Sequence, residues 1–167
     1  QYVGMTHTIT RKYFVAKLPD ITGLAPLHNE RYYLCLGLKS VIRAQSKNNK
    51  YELEKKVDID DRVRERSVID LSKDEFDAIV KFASIRTVRK SYKISNSPDM
   101  MLRVYEERYR GLNRCEILFK TTDEADSFIP PSWLGQEITN TPLAKDLALL
   151  SLTTQQFSEL LAEYAKS

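Results

Sequence analysis

Two segments of this chain interleave cations with tyrosines: Arg86-Thr87-Val88-Arg89-Lys90-Ser91-Tyr92-Lys93 and Arg103-Val104-Tyr105-Glu106-Glu107-Arg108-Tyr109-Arg110. Guanidinium and ammonium groups neutralise phosphate and tyrosine rings stack on bases, so the pattern suits an RNA or a nucleotide. The same pattern also suits the two faces of ordinary strands, where Tyr is favoured and Arg is common. A third segment, Tyr51–Val57, sets Glu52, Glu54 and Lys56 two residues apart, hence on one face of a strand. Carboxylates placed together can gather a divalent cation. They can also pair with neighbouring cations, which meets the cost of burying charge without a metal, and pairing is the plainer expectation.

Other chemistries lack their residues. His7 and His28 are the only histidines, neither lies near a serine or cysteine in a nucleophile motif, and both read as surface groups. No GxxxxGK[ST] or GxGxxG turn occurs, and five glycines in the whole chain leave none for a phosphate cradle, so any phosphate must meet side chains. Cys35 and Cys115 sit in apolar runs without a CxxC pair, which points to two reduced core residues rather than a zinc site. No stretch approaches the roughly 18 to 20 apolar residues of a membrane span, and no signal pattern opens the chain, so a cytoplasmic setting is expected. Gln1–Gly4 precede the first methionine; residues 1–5 read as an appended remnant, or the opening four as the end of a longer protein with Met5 as a start.

These residues need a scaffold of strands. At 167 residues and 19.3 kDa the chain fits a single domain, 1–167, with a core of its own. Its 26 Lys and Arg against 23 Asp and Glu give a net charge of +3, too slight to argue by itself for nucleic acid. Eight β-rich runs are expected: 8–17, 31–36, 40–46, 51–57, 67–71, 87–94, 101–108 and 115–121. Lys47-Asn48-Asn49-Lys50 reads as a hairpin turn, because asparagine tolerates left-handed backbone. Ser72-Lys73-Asp74-Glu75 is a capping box ahead of Phe76, Ile79, Val80 and Ala83 at helical spacing. Thr121 to Glu124 repeats the box for a short helix stopped by Pro130-Pro131. Thr153 and Gln156 open a last amphipathic helix, 153–167, striped by Phe157, Leu160, Leu161 and Tyr164. Asp58 to Arg66 reads as a solvated, charge-dense connector. Many strands, one interrupting helix, more strands and then helices describe an α+β domain on a curled or closed antiparallel sheet.

Several of these pieces, taken in order, resemble the CYTH superfamily, the triphosphate tunnel fold of class IV adenylyl cyclases, thiamine triphosphatases and inorganic triphosphatases. The resemblance runs through Thr8–Lys17, Val41-Ile42-Arg43, Tyr51–Val57, the helix after Asp70-Leu71-Ser72, Val88–Ile94, Met101–Gly111, Cys115–Phe119 and Trp133–Thr139. It implies an eight-stranded antiparallel barrel with flanking helices, whose lumen holds a triphosphate among Lys and Arg while carboxylates hold Mg²⁺ or Mn²⁺.

Carried over position by position, the resemblance gives Lys12, Arg43, Lys56 and Arg89 as phosphate contacts, to which Arg103 is added as a further cation, and leaves Glu116 and Glu137 as remnants of a metal site. It also exposes losses. Thr8 and Thr10 stand where the family has two glutamates, Gln45 and Ser91 where it has arginines, Arg103 where it has an aspartate and Leu118 where it has a second glutamate. The expected function is therefore a degenerate CYTH-like domain that binds a phosphorylated small molecule, polyphosphate or nucleotide, with no cofactor and without the usual metal-dependent hydrolysis. Two alternatives stay open. One is an active Mg²⁺- or Mn²⁺-dependent triphosphatase or adenylyl cyclase-like enzyme with a relocated cluster of Glu52, Glu54, Glu116 and Glu137. The other is a protein-interaction module docking partners through the last helix. A membrane or a long nucleic acid is not expected as a partner.

Overall fold

The computed structural model describes residues 9–59 and 64–166. His7, Thr8, the first five residues and the middle of the 58–66 connector lie outside the described residues. Eight strands appear: β1 (Ile9–Phe14), β2 (Leu27–Leu36), β3 (Ser40–Lys47), β4 (Lys50–Asp58), β5 (Arg64–Leu71), β6 (Ile85–Asn96), β7 (Asp99–Tyr105) and β8 (Asn113–Phe119). They form an antiparallel eight-stranded sheet in the order β1-β8-β7-β6-β2-β3-β4-β5. Four helices flank it: α1 (Lys73–Ile79), α2 (Thr122–Ser127), α3 (Asp146–Ser151) and α4 (Thr154–Ala165).

The expected closed barrel is not closed by hydrogen bonds, since β1 and β5 stand at the two ends of the sheet. The free edge of β1 is spent elsewhere. Phe14 N–H donates to the Gln136 carbonyl at 2.9 Å, Ile138 N–H to the Lys12 carbonyl at 2.8 Å, and Lys12 N–H to Thr139 Oγ1 at 3.0 Å. The 135–139 segment thus runs along β1 and covers an edge that would otherwise offer unpaired groups. Gly135 permits the approach, because a Cβ there would sit 2.7 Å from the Phe14 carbonyl oxygen.

The chain divides into two compact units, one of residues 28–88 and one of residues 9–27 with 89–166. In the larger unit, alternation on β1, β7 and β8 sends Tyr13, Val15, Met100, Leu102, Cys115, Ile117 and Phe119 into one apolar core with Ala125 and Leu134. Burial pushes the Cys115 thiol up to about 12, so it behaves as a small apolar group. The α4 stripe packs in part within this unit. Phe157 is buried edge-on to Tyr109 with centroids 5.3 Å apart, and Tyr164 meets Phe14 at 5.9 Å. Leu160, Leu161 and Tyr164 stay half-buried, so the chain covers only part of the surface that the interaction-module reading requires.

In the smaller unit, α1 lays the buried Phe76 across Tyr32 and Tyr51, with centroids 5.6 and 4.9 Å away. Its capping box is complete. Glu75 N–H donates to Ser72 Oγ at 3.2 Å, and Ser72 N–H donates to Glu75 Oε1 at 2.9 Å. Ser72→Ala is expected to cost about 1 kcal/mol in a urea denaturation series, and an unchanged midpoint would refute that contribution. The β3–β4 turn carries positive φ at both Asn48 (47°) and Asn49 (65°), the left-handed pair of a two-residue hairpin.

Two readings need correction. Cys35 is exposed rather than in the core, because a register shift between Tyr33 and Cys35 breaks the alternation of β2. The 58–66 connector is shorter than expected, since Asp58 ends β4 and Arg64, Glu65 and Arg66 begin β5. No helix among the described residues is long and apolar enough to cross a membrane.

Candidate functional site

Alternation that buries one face of each strand in a core leaves the other face for charge. In the larger unit, strand pairing sets Lys12 opposite Glu116, Arg103 opposite both Arg114 and Ser91, and Arg89 opposite Tyr105. Four cations (Lys12, Arg89, Arg103 and Arg114) share this face with Glu116 and, from α3, Asp146. Arg114 is 2 % exposed and donates to Glu116 Oε1 (3.2 Å), the Leu143 carbonyl (2.8 Å) and Asp146 Oδ1 (3.1 Å). Arg103 donates to Ser91 Oγ (2.7 Å) and to Glu116 Oε2 (3.3 Å), so both Glu116 oxygens are taken by guanidinium groups. Lys12 Nζ donates to the Ala144 carbonyl at 2.6 Å. Arg89, 4 % exposed, donates to the Tyr105 hydroxyl at 3.1 Å, and that hydroxyl donates to Asp146 Oδ1 at 2.9 Å.

The electrostatics follow from this crowding. Burial, with the field of Arg114 next, pushes the Lys12 ammonium down to about 8. Burial and then Arg89 lower Arg103 from its ordinary value. Burial alone would raise Glu116, but Arg114, Arg103, Lys12 and Arg89 override it and hold the carboxyl well below the usual range. Positive charge is in excess here, and it is strained by its own kind.

The smaller unit carries a second cluster on the charged face of β2 to β5. Arg43 lies opposite Glu54, Gln45 opposite Glu52, and Lys56 opposite Arg66. Glu54, 1 % exposed, has Arg43 Nη2 at 2.5 Å from one oxygen and accepts from Arg66 Nε at 2.5 Å and Gln45 Nε2 at 3.1 Å on the other. Glu52 accepts from Gln45 Nε2, from Lys47 Nζ at 2.9 Å and from Arg66 Nη2 at 3.3 Å. Burial would raise Glu54, yet Arg43, Lys56 and Arg66 pull it down to about 2. Burial and then Arg43 push Lys56 down to about 8, its Nζ lying 4.0 Å from Glu54 Oε1.

The structure thus gathers Lys12, Arg89, Arg103 and Glu116 in one unit and Arg43, Lys56, Glu52 and Glu54 in the other. Glu137 joins neither. It accepts from Arg11 Nε (3.0 Å) and Nη2 (2.7 Å) and from Thr139 Oγ1 (2.7 Å), and Arg11 points to the side of β1 opposite Lys12. His28 pairs with Glu30 away from both clusters. Among the described residues no three His, Cys, Asp or Glu side chains come together as a metal site. The sequence reading missed Arg114, Arg66 and Asp146. Arg114 was legible, since it shares the period-two face of Glu116; Asp146 arrives on a helix with no local signal.

No family model and no curated protein matches this sequence. Solved structures do. Two structures of protein NE1496, one called hypothetical and the other an inorganic triphosphatase, are 25 % identical to this chain. The first covers 87 % of this chain and 99 % of its own length at a TM-score of 0.72; the second covers 89 % and 97 % at 0.73. A Bacillus halodurans protein described as a candidate adenylate cyclase shares the fold at 13 % identity, 99 % and 93 % coverage and a TM-score of 0.53.

Proposed function

We propose that this chain, which has the fold of the CYTH triphosphate tunnel proteins, binds a phosphorylated small molecule, a polyphosphate or a nucleotide, without a resident divalent metal. In the larger unit the contacts are Lys12, Arg89 and Arg103; in the smaller, Arg43 and Lys56 offer an anion a charged face of their own. One observation carries the proposal. Nε of both Arg89 and Arg103 is buried with no hydrogen-bond acceptor among the described residues, and leaving such a donor unmet costs about 1–3 kcal/mol. A phosphate oxygen accepts from these groups and supplies the negative charge that the face lacks. The triphosphate named for the 25 % identical NE1496 supports the substrate class.

Among the described residues, Glu116 and Glu54 do not fit Mg²⁺ or Mn²⁺. Hard cations take several oxygen ligands with free lone pairs, whereas Glu116 and Glu54 each spend both oxygens on cations at 2.5 to 3.3 Å. A divalent ion there would have to displace an arginine and then sit beside it.

Lys12→Ala is expected to weaken tripolyphosphate binding at least about tenfold by calorimetry, equivalent to about 1.4 kcal/mol. The pH dependence has a definite sign. Lys12 is charged below about 8, so affinity falls as pH rises through that value. Stability of the unliganded protein moves the other way. The folded state carries the cost of a buried ammonium below about pH 8 and sheds it as pH rises toward the ordinary lysine value, because the unfolded chain then binds more protons. Relative to Lys12→Met, the unliganded protein should gain stability between pH 8 and pH 10, and parallel curves would refute the assignment.

A second reading, a divalent-metal triphosphatase or cyclase-like enzyme, draws on the name of NE1496 and on Glu52 and Glu54 meeting at Gln45 and Arg66. Phosphate release from tripolyphosphate, ATP and thiamine triphosphate with Mg²⁺ or Mn²⁺ separates the two. Turnover abolished by Glu116→Ala supports the enzyme, and binding without turnover supports the proposal.

A further inference from the structure

The smaller unit holds a cavity of about 540 Å³ that the phosphate reading leaves unused. Period-two alternation puts it on the face of β2 to β4 opposite the ion-pair cluster. His28, Glu30 and Tyr32 alternate with Asn29, Arg31 and Tyr33 along β2, while Ser46 alternates with Gln45 on β3 and Tyr51 with Glu52 on β4. α1 closes one side with Lys73, Phe76 and Asp77.

We infer that this cavity binds a small organic cation, an ammonium group carried on an aromatic or aliphatic body. Its volume lies within the range of roughly 300–1,000 Å³ of small-molecule sites, which combine apolar walls with a few placed polar groups. The walls here are the rings of Tyr32, Tyr51 and Phe76, packed at 4.9 and 5.6 Å. Aromatic faces are negative and attract cations. The Tyr32 ring already does so, since the Arg86 guanidinium lies 5.6 Å from its centroid while donating to its hydroxyl at 2.8 Å.

Glu30 supplies the charge. Its oxygens meet His28 Nε2 at 3.2 Å and accept from the Tyr32 hydroxyl at 3.1 Å, and no lysine or arginine pairs with it among the described residues. Lys73, the one cationic residue lining the cavity besides the histidine, is held by Asp77 at 2.5 Å and so is neutralised within α1. A carboxylate with no lysine or arginine partner among the described residues, half-buried beside three rings, favours a cation and repels a phosphate. The inference stands independently of the anion site.

The test titrates the whole chain with 2-phenylethylammonium and with its near-isosteric neutral analogue 2-phenylethanol, followed by amide chemical shifts and calorimetry. The ammonium should shift Tyr32, Tyr51 and Phe76 saturably and bind at least about tenfold tighter than the alcohol, at a cost to the alcohol of about 1.4 kcal/mol. Glu30→Gln should erase that preference while leaving tripolyphosphate affinity unchanged. Equal affinities in the unmodified protein, or a preference that survives Glu30→Gln, overturns the inference. Should Glu30→Gln fail to fold, the ammonium-to-alcohol comparison decides alone. A blocked lysine, N-acetyl-lysine methylamide, binding tighter than the free amine overturns the small-molecule form in favour of a polypeptide side chain.

Discussion

Glu116→Ala is expected to destabilise the protein by about 3–5 kcal/mol, the cost of breaking a buried ion pair from one side, and saturating tripolyphosphate is expected to return much of that loss. Glu116 neutralises Arg114 and Arg103 at once. Its removal leaves Lys12, Arg89, Arg103 and Arg114 facing Asp146 alone. An anion bound at a hundred times its dissociation constant adds about 2.7 kcal/mol to the native state, and the emptied face should bind it more tightly than before. A metal ligand behaves differently. If Glu116 served a metal, Glu116→Ala would lose metal affinity with little change in metal-free stability, and tripolyphosphate would give no selective rescue. Thermal melts of both proteins, with and without tripolyphosphate, distinguish the cases.

Arg43→Met should be of similar size, about 3–5 kcal/mol less the share that Arg66 retains, because Glu54 is 1 % exposed and loses the closest charge on one oxygen. The double variant Arg43→Met/Glu54→Met should recover most of the loss or exceed the starting stability, since apolar replacement of both partners removes their desolvation cost. Anion affinity should not recover with it. A double-mutant cycle in urea, read beside tripolyphosphate calorimetry, separates stability from binding. Additive losses would show that Arg43 and Glu54 do not depend on each other. Recovery of anion affinity in the double variant would remove Arg43 from the contacts.

The secondary structure was legible where local chemistry dictates it. Asn48-Asn49, the Ser72–Glu75 box and the Thr153–Gln156 box each satisfy backbone groups within a few residues, and the structure forms all three. The ends of elements were less so. The Met101–Arg108 run stops at Tyr105 because Glu107 takes a positive φ of 53° and begins a short 3-10 turn. α3 was missed since it spans six residues with no side-chain cap.

Period-two reasoning also gave the face of most candidate residues. Lys12 with Glu116, and Glu52 with Glu54 and Lys56, stand where alternation puts them. The partners of those residues were harder to read, because they come from distant segments: the Leu143 and Ala144 carbonyls, Asp146 and Arg66. For Glu137, the neighbour that decides its environment is Arg11, one residue from Lys12 and on the other side of the strand. A strand register shift of one residue reverses such an assignment, and sequence alone fixes register poorly.

Calorimetric titration of the EDTA-treated protein with tripolyphosphate tests the central claim most directly. The account predicts saturable binding in EDTA, weakened by Lys12→Ala, with an affinity that added Mn²⁺ does not raise. Silence in EDTA, with binding restored by Mn²⁺ and lost again in Glu116→Ala, would contradict it.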